Sequence, residues 1–202
     1  MHDPHTGDVG DFLKMGLLRW LAAPSPYGRG HRLGVVWFRA ADEADDPQDG
    51  PVAWLDPSSD SGQDLRPLDP DLYDRLRQMA GTGDGSVSGL VAAGALPKGT
   101  VCFDEVLSFG DLGPADVAKR TIRRERWFHE AMVAVGSCSL VFVESDEGLR
   151  NADGSMISPG LVAGDDTSLP ELGRLLERGQ SVVTHHVLDL SLIHISEPTR
   201  PS

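Results

Sequence analysis

The chain has 202 residues, enough for one α/β domain with a substantial core, and its formal net charge is −13. A negative field of this size repels nucleic acid and acidic membranes, so nucleic-acid binding would require a local basic patch. No apolar run reaches membrane-spanning length, and the polar, acidic N-terminus is unlike a signal peptide. Cys102 and Cys138 form no CxxC pair and are interpreted as buried free thiols, so we expect a cytoplasmic protein.

The first predicted element is an amphipathic helix within residues 6–21, TGDVGDFLKMGLLRWL. Asp8 or Asp11 can cap it, and Asp11 suits the positive end of the helix dipole. Two interpretations stay open for this stretch. It is a well-capped structural helix, or it carries a site into which Asp8, Asp11 and Lys14 point.

Strands alternate with helices along the rest of the chain, which is typical of a parallel sheet covered by helices. The pattern therefore predicts a three-layer, Rossmann-like α/β fold with helices on both faces, in one domain of residues 1–190. A further short edge strand is predicted over residues 52–55, followed by a surface loop over residues 56–70. The main strands are predicted at 33–38, 100–107, 140–143 and 181–187, and the later helices at 71–79, 86–93, 115–135 and 169–178.

Carboxylates crowd the end of the strand predicted at residues 140–143. The apolar run LVFV stops at Glu144, and Asp146 and Glu147 follow at once. Ligands of open α/β sheets bind at this edge. Because close like charges repel, such a cluster suits a cation, a proton or a polar ligand, or it is simply a solvated acidic loop. We treat Glu144, Asp146 and Glu147 as candidate catalytic residues.

Paired histidines end the last predicted strand, at His185 and His186. Glu144, Asp146 and one of these histidines form an alternative site for a divalent metal. Adjacent strand residues face opposite sides of a sheet, so at most one of the pair faces a given site. A structural role for the histidines is the competing interpretation.

The longest predicted helix, residues 115–135, carries the densest basic cluster of the chain, at residues 119–126. Arg120, Arg123 and Arg124 are the candidate contacts for phosphate or nucleic-acid backbone, and a solvated helix face is the alternative. Trp127 is expected in the core. The apolar residues at helical spacing, which we expect to face the core, are Ala118, Ile122, Phe128, Ala131, Met132 and Val135.

Four segments together resemble an uncharacterised bacterial family: GDVGDFLKMGLLR (7–19), LGVVWF (33–38), ESDEGL (144–149) and RGQSVVTHH (178–186). Members of that family begin GDVGDFGKYGLLR, continue with a strand of the LGVVWY type and a strand ending D-P-D-N-G-L, and carry RGQS before a strand that ends in paired histidines. The chain departs from this pattern because Glu144, Ser145, Asp146 and Glu147 replace Asp-Pro-Asp-Asn. If that motif is catalytic, the departure is expected to impair activity.

The segment HTGDVGDFLK (5–14) is also distantly similar to the H-A-G-N-x-A-D-V-L-K segment of ribosomal-RNA adenine methyltransferases. In those enzymes an [N/D]-P-P-[Y/F] tetrapeptide ends a central strand and receives the target amine. The resemblance implies a methyltransferase-like fold with S-adenosylmethionine as cofactor. It places residues 144–147 at the amine, although the chain has no G-x-G-x-x-G loop after its first strand and has Glu147 where the aromatic stands.

The last residues, SLIHISEPTRPS (191–202), resemble the translation of a sequencing-adapter read-through. We therefore exclude them from fold reasoning as a non-native tail and expect the native C-terminal element to be missing.

Three functional hypotheses follow. The first is a methyltransferase-like enzyme acting on an exocyclic amine of a nucleobase, with Asp8, Asp11 and Lys14 on the cofactor side. The second is a phosphoesterase or nuclease in which a divalent metal activates water. The third is a binding module that keeps the fold without catalysis.

Overall fold

The structure is a computed structural model that describes residues 9–24, 26, 30–38, 53–82, 87–113, 115–144, 149–150 and 167–185. Its strands are β1 (Leu33–Trp37), β2 (Val101–Phe103), β3 (Leu140–Glu144), β4 (Leu149–Arg150), β5 (Thr167–Ser168) and β6 (Ser181–Thr184). Its α-helices are α1 (Val9–Ala22), α2 (Asp60–Leu65), α3 (Pro70–Thr82), α4 (Val87–Ala92), α5 (Val117–Ala134) and α6 (Leu169–Glu177).

The main sheet is parallel throughout and has the strand order β2–β1–β3–β6. In its central pair, Leu33 of β1 lies beside Leu140 of β3, and Trp37 lies beside Glu144. The chain passes from β1 to β2 on one side and then crosses to β3 on the other, so the strand order reverses between β1 and β3. In open α/β sheets the crevice at such a reversal, outside the carboxyl ends of the strands, binds ligands.

Helices cover both faces of this sheet, as the sequence predicts. Residues of β1 alternate between the two faces because successive strand side chains point to opposite sides. Val35 and Trp37 join a core with α1, α3 and α4. Val36 joins the opposite core, which is built with α5 and α6. The predicted three-layer α/β architecture is confirmed.

The prediction for residues 52–70 is wrong in two places. Ala53–Leu55 forms a 3₁₀ helix instead of an edge strand, and it buries Trp54 and Leu55. The hydroxyl of Tyr73 donates to the Trp54 carbonyl oxygen at 3.0 Å and fixes this turn to α3. The predicted loop contains α2, which begins after a turn in which the Asp56 carboxylate accepts from the Ser58 amide at 2.8 Å.

Several strand bounds also differ from the predictions. β2 is shorter than predicted, so Asp104 follows it instead of lying within it. Glu144 is the last residue of β3 and not the first residue of a loop. β4 and β5 pair in parallel as a separate two-stranded sheet, which the sequence did not predict. The predicted C-terminal tail, residues 191–202, lies outside the described residues.

The predicted apolar stripe of α5 is correct only in its second half. Phe128, Ala131 and Val135 are buried, but Ala118 is exposed and Ile122 is 62% exposed. In the first half the inward positions hold Arg120 and Arg124, whose side chains lie over aromatic rings. The methylene groups of these arginines cover the end of the core. The helical spacing of apolar residues therefore gave a wrong prediction for the inner face of α5 in its first half.

Both cysteines are free thiols, as predicted, and Cys138 is buried while Cys102 is half-buried. Burial raises the pKa of the Cys102 thiol to about 11. Within the described part of the chain, no helix has the length and apolar character needed to cross a membrane.

Candidate functional site

The first turn of helix α1 lies at the carboxyl edge of the sheet. Its C-terminal end lies at the amino end of β1, because the His31 amide donates to the Ala22 carbonyl oxygen at 3.2 Å. The helix therefore runs antiparallel to the strands, and Phe12 and Met15 bury its inner face. Asp11 and Lys14 lie beside these residues near the N-terminal end of α1. Both therefore reach the edge of the sheet where β3 ends.

Lys14 joins two buried carboxylates at that edge. Its Nζ lies 2.8 Å from Oδ1 of Asp11 and donates to Oε1 of Glu144 at 2.7 Å. The two carboxylate side chains are each 3% exposed, while that of Lys14 is 18% exposed. Removing ions from water is costly unless they are paired, and Lys14 stabilises the charged forms of both carboxylates. We call Asp11, Lys14 and Glu144 the edge triad.

The edge triad sets the protonation of its members. Burial raises the pKa of Glu144, and the charge and hydrogen bond of Lys14 hold part of that rise back, with His185 acting in the same direction. Burial alone would lower the pKa of Lys14, but the two carboxylates outweigh it and raise that pKa. The ammonium group therefore keeps its charge across the physiological range.

One oxygen of the edge triad has no hydrogen-bond partner among the described residues. Oε2 of Glu144 is fully buried, accepts no hydrogen bond from any described residue, and belongs to a residue that is only 2% exposed. A buried acceptor without a donor costs about 1–3 kcal/mol of stability. A ligand that brought its own donor to the strand-order reversal would remove this cost.

The structure brings some of the predicted site residues together and not others. Asp11, Lys14 and Glu144 meet, and His185 lies near enough to act on Glu144. Asp8, Asp146, Glu147 and His186 lie outside the described residues. The part of the chain that the structure describes holds no group of three His, Cys, Asp or Glu side chains placed to bind a metal ion. In the edge triad, the cation beside Glu144 is Lys14.

The basic helix α5 begins at the same edge of the sheet but on the opposite face. Arg123 donates to the Ser108 carbonyl oxygen and pairs with Asp111, whose pKa this hydrogen bond lowers to about 2. Arg124 makes two 2.8 Å bonds to the carboxylate of Glu171. Arg120 lies over the ring of Phe109 at 4.7 Å. The predicted phosphate contacts therefore stand at the edge, but intramolecular carboxylates already engage two of them.

Trp127 is buried, as predicted, and its indole N–H donates to the Glu105 carbonyl oxygen at 2.7 Å. Trp37 and Asp104 were not predicted as site residues from the sequence. Trp37 ends β1 beside Glu144, and its buried indole nitrogen has no partner among the described residues. Asp104 follows β2 at the carboxyl edge and is half-buried. The signal for both was their position at strand ends.

The RGQS segment serves the opposite, amino edge of the sheet. The side-chain amide of Gln180 donates to the carbonyl oxygens of Val135 and Cys138, both at 2.9 Å. Arg178 donates to the Met132 carbonyl oxygen at 2.7 Å. These bonds fasten the turn before β6 to the end of α5, so the contacts of this segment are structural.

Comparison of the chain with models of known protein families, with the curated proteins and with the solved structures gave no match in any of the three.

Proposed function

We propose that the chain is a methyltransferase-like enzyme that uses S-adenosylmethionine to modify an exocyclic amine of a nucleobase. The observation that carries this proposal is the buried Oε2 of Glu144 at the carboxyl end of β3, which has no hydrogen-bond partner in the part of the chain that the structure describes. An ionised carboxylate can accept hydrogen bonds but cannot donate them, so this oxygen suits a ligand that offers an N–H group. A primary amine on a planar base offers two.

The contact between Lys14 and Glu144 gives separate support. Residues 5–14 resemble a methyltransferase segment, and that resemblance places residues 144–147 at the target amine. The ion pair joins these two segments across 130 residues of sequence. A site assembled from both segments is what the resemblance implies. The chance meeting of two such segments in one buried ion pair is the weaker explanation.

The residues of the edge fit the proposed cofactor in their chemistry. S-adenosylmethionine supplies an activated methyl group on a positively charged sulfur, and carboxylates favour such a charge. Asp104 follows the strand next to β1, where dinucleotide-binding α/β folds place an acid that binds ribose hydroxyls. Asp8, Asp11 and Lys14 would line the cofactor side.

Within this proposal each member of the edge triad has a distinct task. Oε2 of Glu144 accepts a hydrogen bond from the target amine and turns the nitrogen lone pair toward the methyl group. S-adenosylmethionine would supply the methyl group, its S–CH3 bond breaking to leave the neutral thioether S-adenosylhomocysteine. When the new C–N bond forms, the amine nitrogen would lose a proton, and the raised pKa of Glu144 suits Oε2 to receive it. Lys14 keeps Glu144 ionised beforehand, and Asp11 anchors Lys14.

Nucleic acid as the partner requires a local basic surface on this acidic chain. The N-terminal half of α5 supplies one at the carboxyl edge, where Lys119 is 69% exposed and Arg126 is exposed. A phosphate would have to displace Asp111 from Arg123, a surface pair that solvent screens. Arg120, Arg123 and Arg124 remain the proposed phosphate contacts.

Isothermal titration calorimetry with S-adenosylmethionine, magnesium and manganese tests the proposal. We expect S-adenosylmethionine to bind with a micromolar dissociation constant, about 8 kcal/mol of binding free energy. Asp11→Ala should weaken that binding, while Asp74→Ala, which removes an exposed ion pair with Arg66, should not. Binding of a metal ion without S-adenosylmethionine would favour the phosphoesterase or nuclease hypothesis. Binding of neither would leave the non-catalytic module.

A further inference from the structure

Trp37 and Glu144 occupy matching positions at the ends of neighbouring strands. They are Cα partners in the register of β1 and β3, and adjacent strands lie about 4.8 Å apart. Both side chains lie on the α1 face, since Trp37 belongs to the core beneath α1 and Glu144 bonds to Lys14 of α1. The two side chains therefore stand next to each other at the carboxyl edge.

Each of these neighbours keeps an unused hydrogen-bonding atom. The indole N–H of Trp37 is a donor only, and it has no acceptor among the described residues; Trp37 itself is completely buried. Oε2 of Glu144 is an acceptor, and it has no donor among the described residues. The ends of these neighbouring strands therefore carry a buried donor and a buried acceptor, and a third molecule that offers an acceptor and a donor would satisfy both.

We propose that Trp37 Nε1 and Glu144 Oε2 form one recognition edge for a planar heterocycle with an amine N–H beside a ring-nitrogen acceptor. Adenine and cytosine both carry this arrangement. The amine donates to Glu144, and the ring nitrogen accepts from Trp37. Trp37 is thereby a specificity-determining residue that sets the orientation of the base, an inference that rests on the proposed function for the identity of the reacting amine.

Trp54 provides a matched control in the same core. It is also buried, and its indole nitrogen also lacks a partner among the described residues. Trp54 lies in the 3₁₀ helix, however, and its ring packs against Phe12 and Tyr73 at centroid distances of 5.5 and 5.6 Å. Trp54 is not paired with Glu144 in the sheet, so we assign it a packing role only.

The test measures nucleoside binding by calorimetry for the wild type, Trp37→Phe and Trp54→Phe. The probes are adenosine, its 1-deaza and 7-deaza analogues, cytidine and 3-deazacytidine. Trp37→Phe should bind adenosine or cytidine roughly fivefold to tenfold more weakly, the loss of one buried hydrogen bond. Trp54→Phe should bind like the wild type, and a deaza analogue without the required ring nitrogen should bind equally to the wild type and Trp37→Phe.

Equal losses in Trp37→Phe and Trp54→Phe, or no loss in Trp37→Phe, would overturn the inference. If Trp37→Phe does not fold, the wild type alone decides, because equal binding of each nucleoside and its deaza analogues also overturns it. Titration with S-adenosylmethionine separates the two claims, since Trp37→Phe should leave that affinity unchanged. The nucleoside pattern without any binding of S-adenosylmethionine would support the recognition edge and reject the methyltransferase proposal.

Discussion

Replacing Lys14 by methionine removes the only cation that the structure places between Asp11 and Glu144 among the described residues. Both carboxylates stay buried, so each loses the charge that offsets its desolvation. Removing one partner of a buried pair costs 3–5 kcal/mol, and the 18% exposure of the Lys14 side chain places the expected cost at about 3 kcal/mol. For a domain of this size, that lowers the melting temperature by about 6–12 °C.

The cost of Lys14→Met should depend on pH. Burial raises the pKa of Glu144, and the loss of Lys14 removes the charge and hydrogen bond that hold this rise back. A carboxyl group whose pKa is higher in the folded than in the unfolded state binds its proton more tightly in the folded protein. The protein is therefore most stable below the unfolded pKa of that group, about 4.3, and its free energy of unfolding falls as pH rises through the folded pKa. The deficit relative to wild type should therefore be larger at pH 8 than at pH 5.

Urea denaturation at both pH values measures this deficit, with Arg66→Met as the control. Arg66 pairs with Asp74 at the surface, where both side chains are nearly half exposed, so its loss should cost at most about 1 kcal/mol. Adding Glu144→Gln to Lys14→Met should recover part of the stability by removing an unpaired buried charge. A Lys14→Met deficit no larger than that of Arg66→Met at pH 8 would refute the reasoning.

Three further predictions concern packing, charge and reactivity. Gly34→Ala should cost about 1–3 kcal/mol in urea denaturation because its new Cβ would lie 2.9 Å from side-chain carbons of Val135. Gly173→Ala in α6 meets nothing within 4 Å and should be neutral or stabilising by up to about 1 kcal/mol. Equal effects would contradict the close packing of β1 against Val135. Arg124→Met breaks the half-buried, two-bond contact with Glu171 and should lower the free energy of unfolding by about 2 kcal/mol. Replacing the exposed Arg126 by methionine should change it by no more than about 0.5 kcal/mol. Similar values for both variants would argue that α5 does not pack through Arg124. Burial raises the pKa of Cys102 to about 11, so few of its thiols are ionised at pH 8. Alkylation of Cys102 at pH 8, measured by mass spectrometry, should therefore be roughly a hundredfold slower in the folded than in the urea-unfolded chain. Equal rates would show that the thiol is accessible.

Much of the fold was predictable because strong local patterns agreed with it. The apolar runs of β1 and β3 and the long periodic helix α5 needed no long-range information. The short apolar run at residues 53–55 was misassigned because a run of this length fits a strand or a helical turn equally well. The first half of α5 was misassigned because arginine stems bury their methylene groups while counting as polar in any pattern.

The candidate site was predictable in its members but not in its assembly. Asp11, Lys14 and Glu144 were each selected from their own segment, by charge and position at an element's end. Their meeting depends on α1 running antiparallel to β3 and on the turn that Lys14 occupies, which are properties of tertiary packing. The unused indole N–H of Trp37 was beyond prediction, since it depends on the absence of acceptors in three dimensions.

The proposed methyl transfer can be measured by following an isotope-labelled methyl group from S-adenosylmethionine to RNA or DNA, with the label located by mass spectrometry of the digested nucleosides. We expect label on an exocyclic amine, loss of that label in Glu144→Gln, and faster transfer when Glu144→Asp, Ser145→Pro and Glu147→Asn together restore the D-P-D-N motif. Folded protein that binds S-adenosylmethionine but transfers no label, with or without the restored motif, would contradict the proposal.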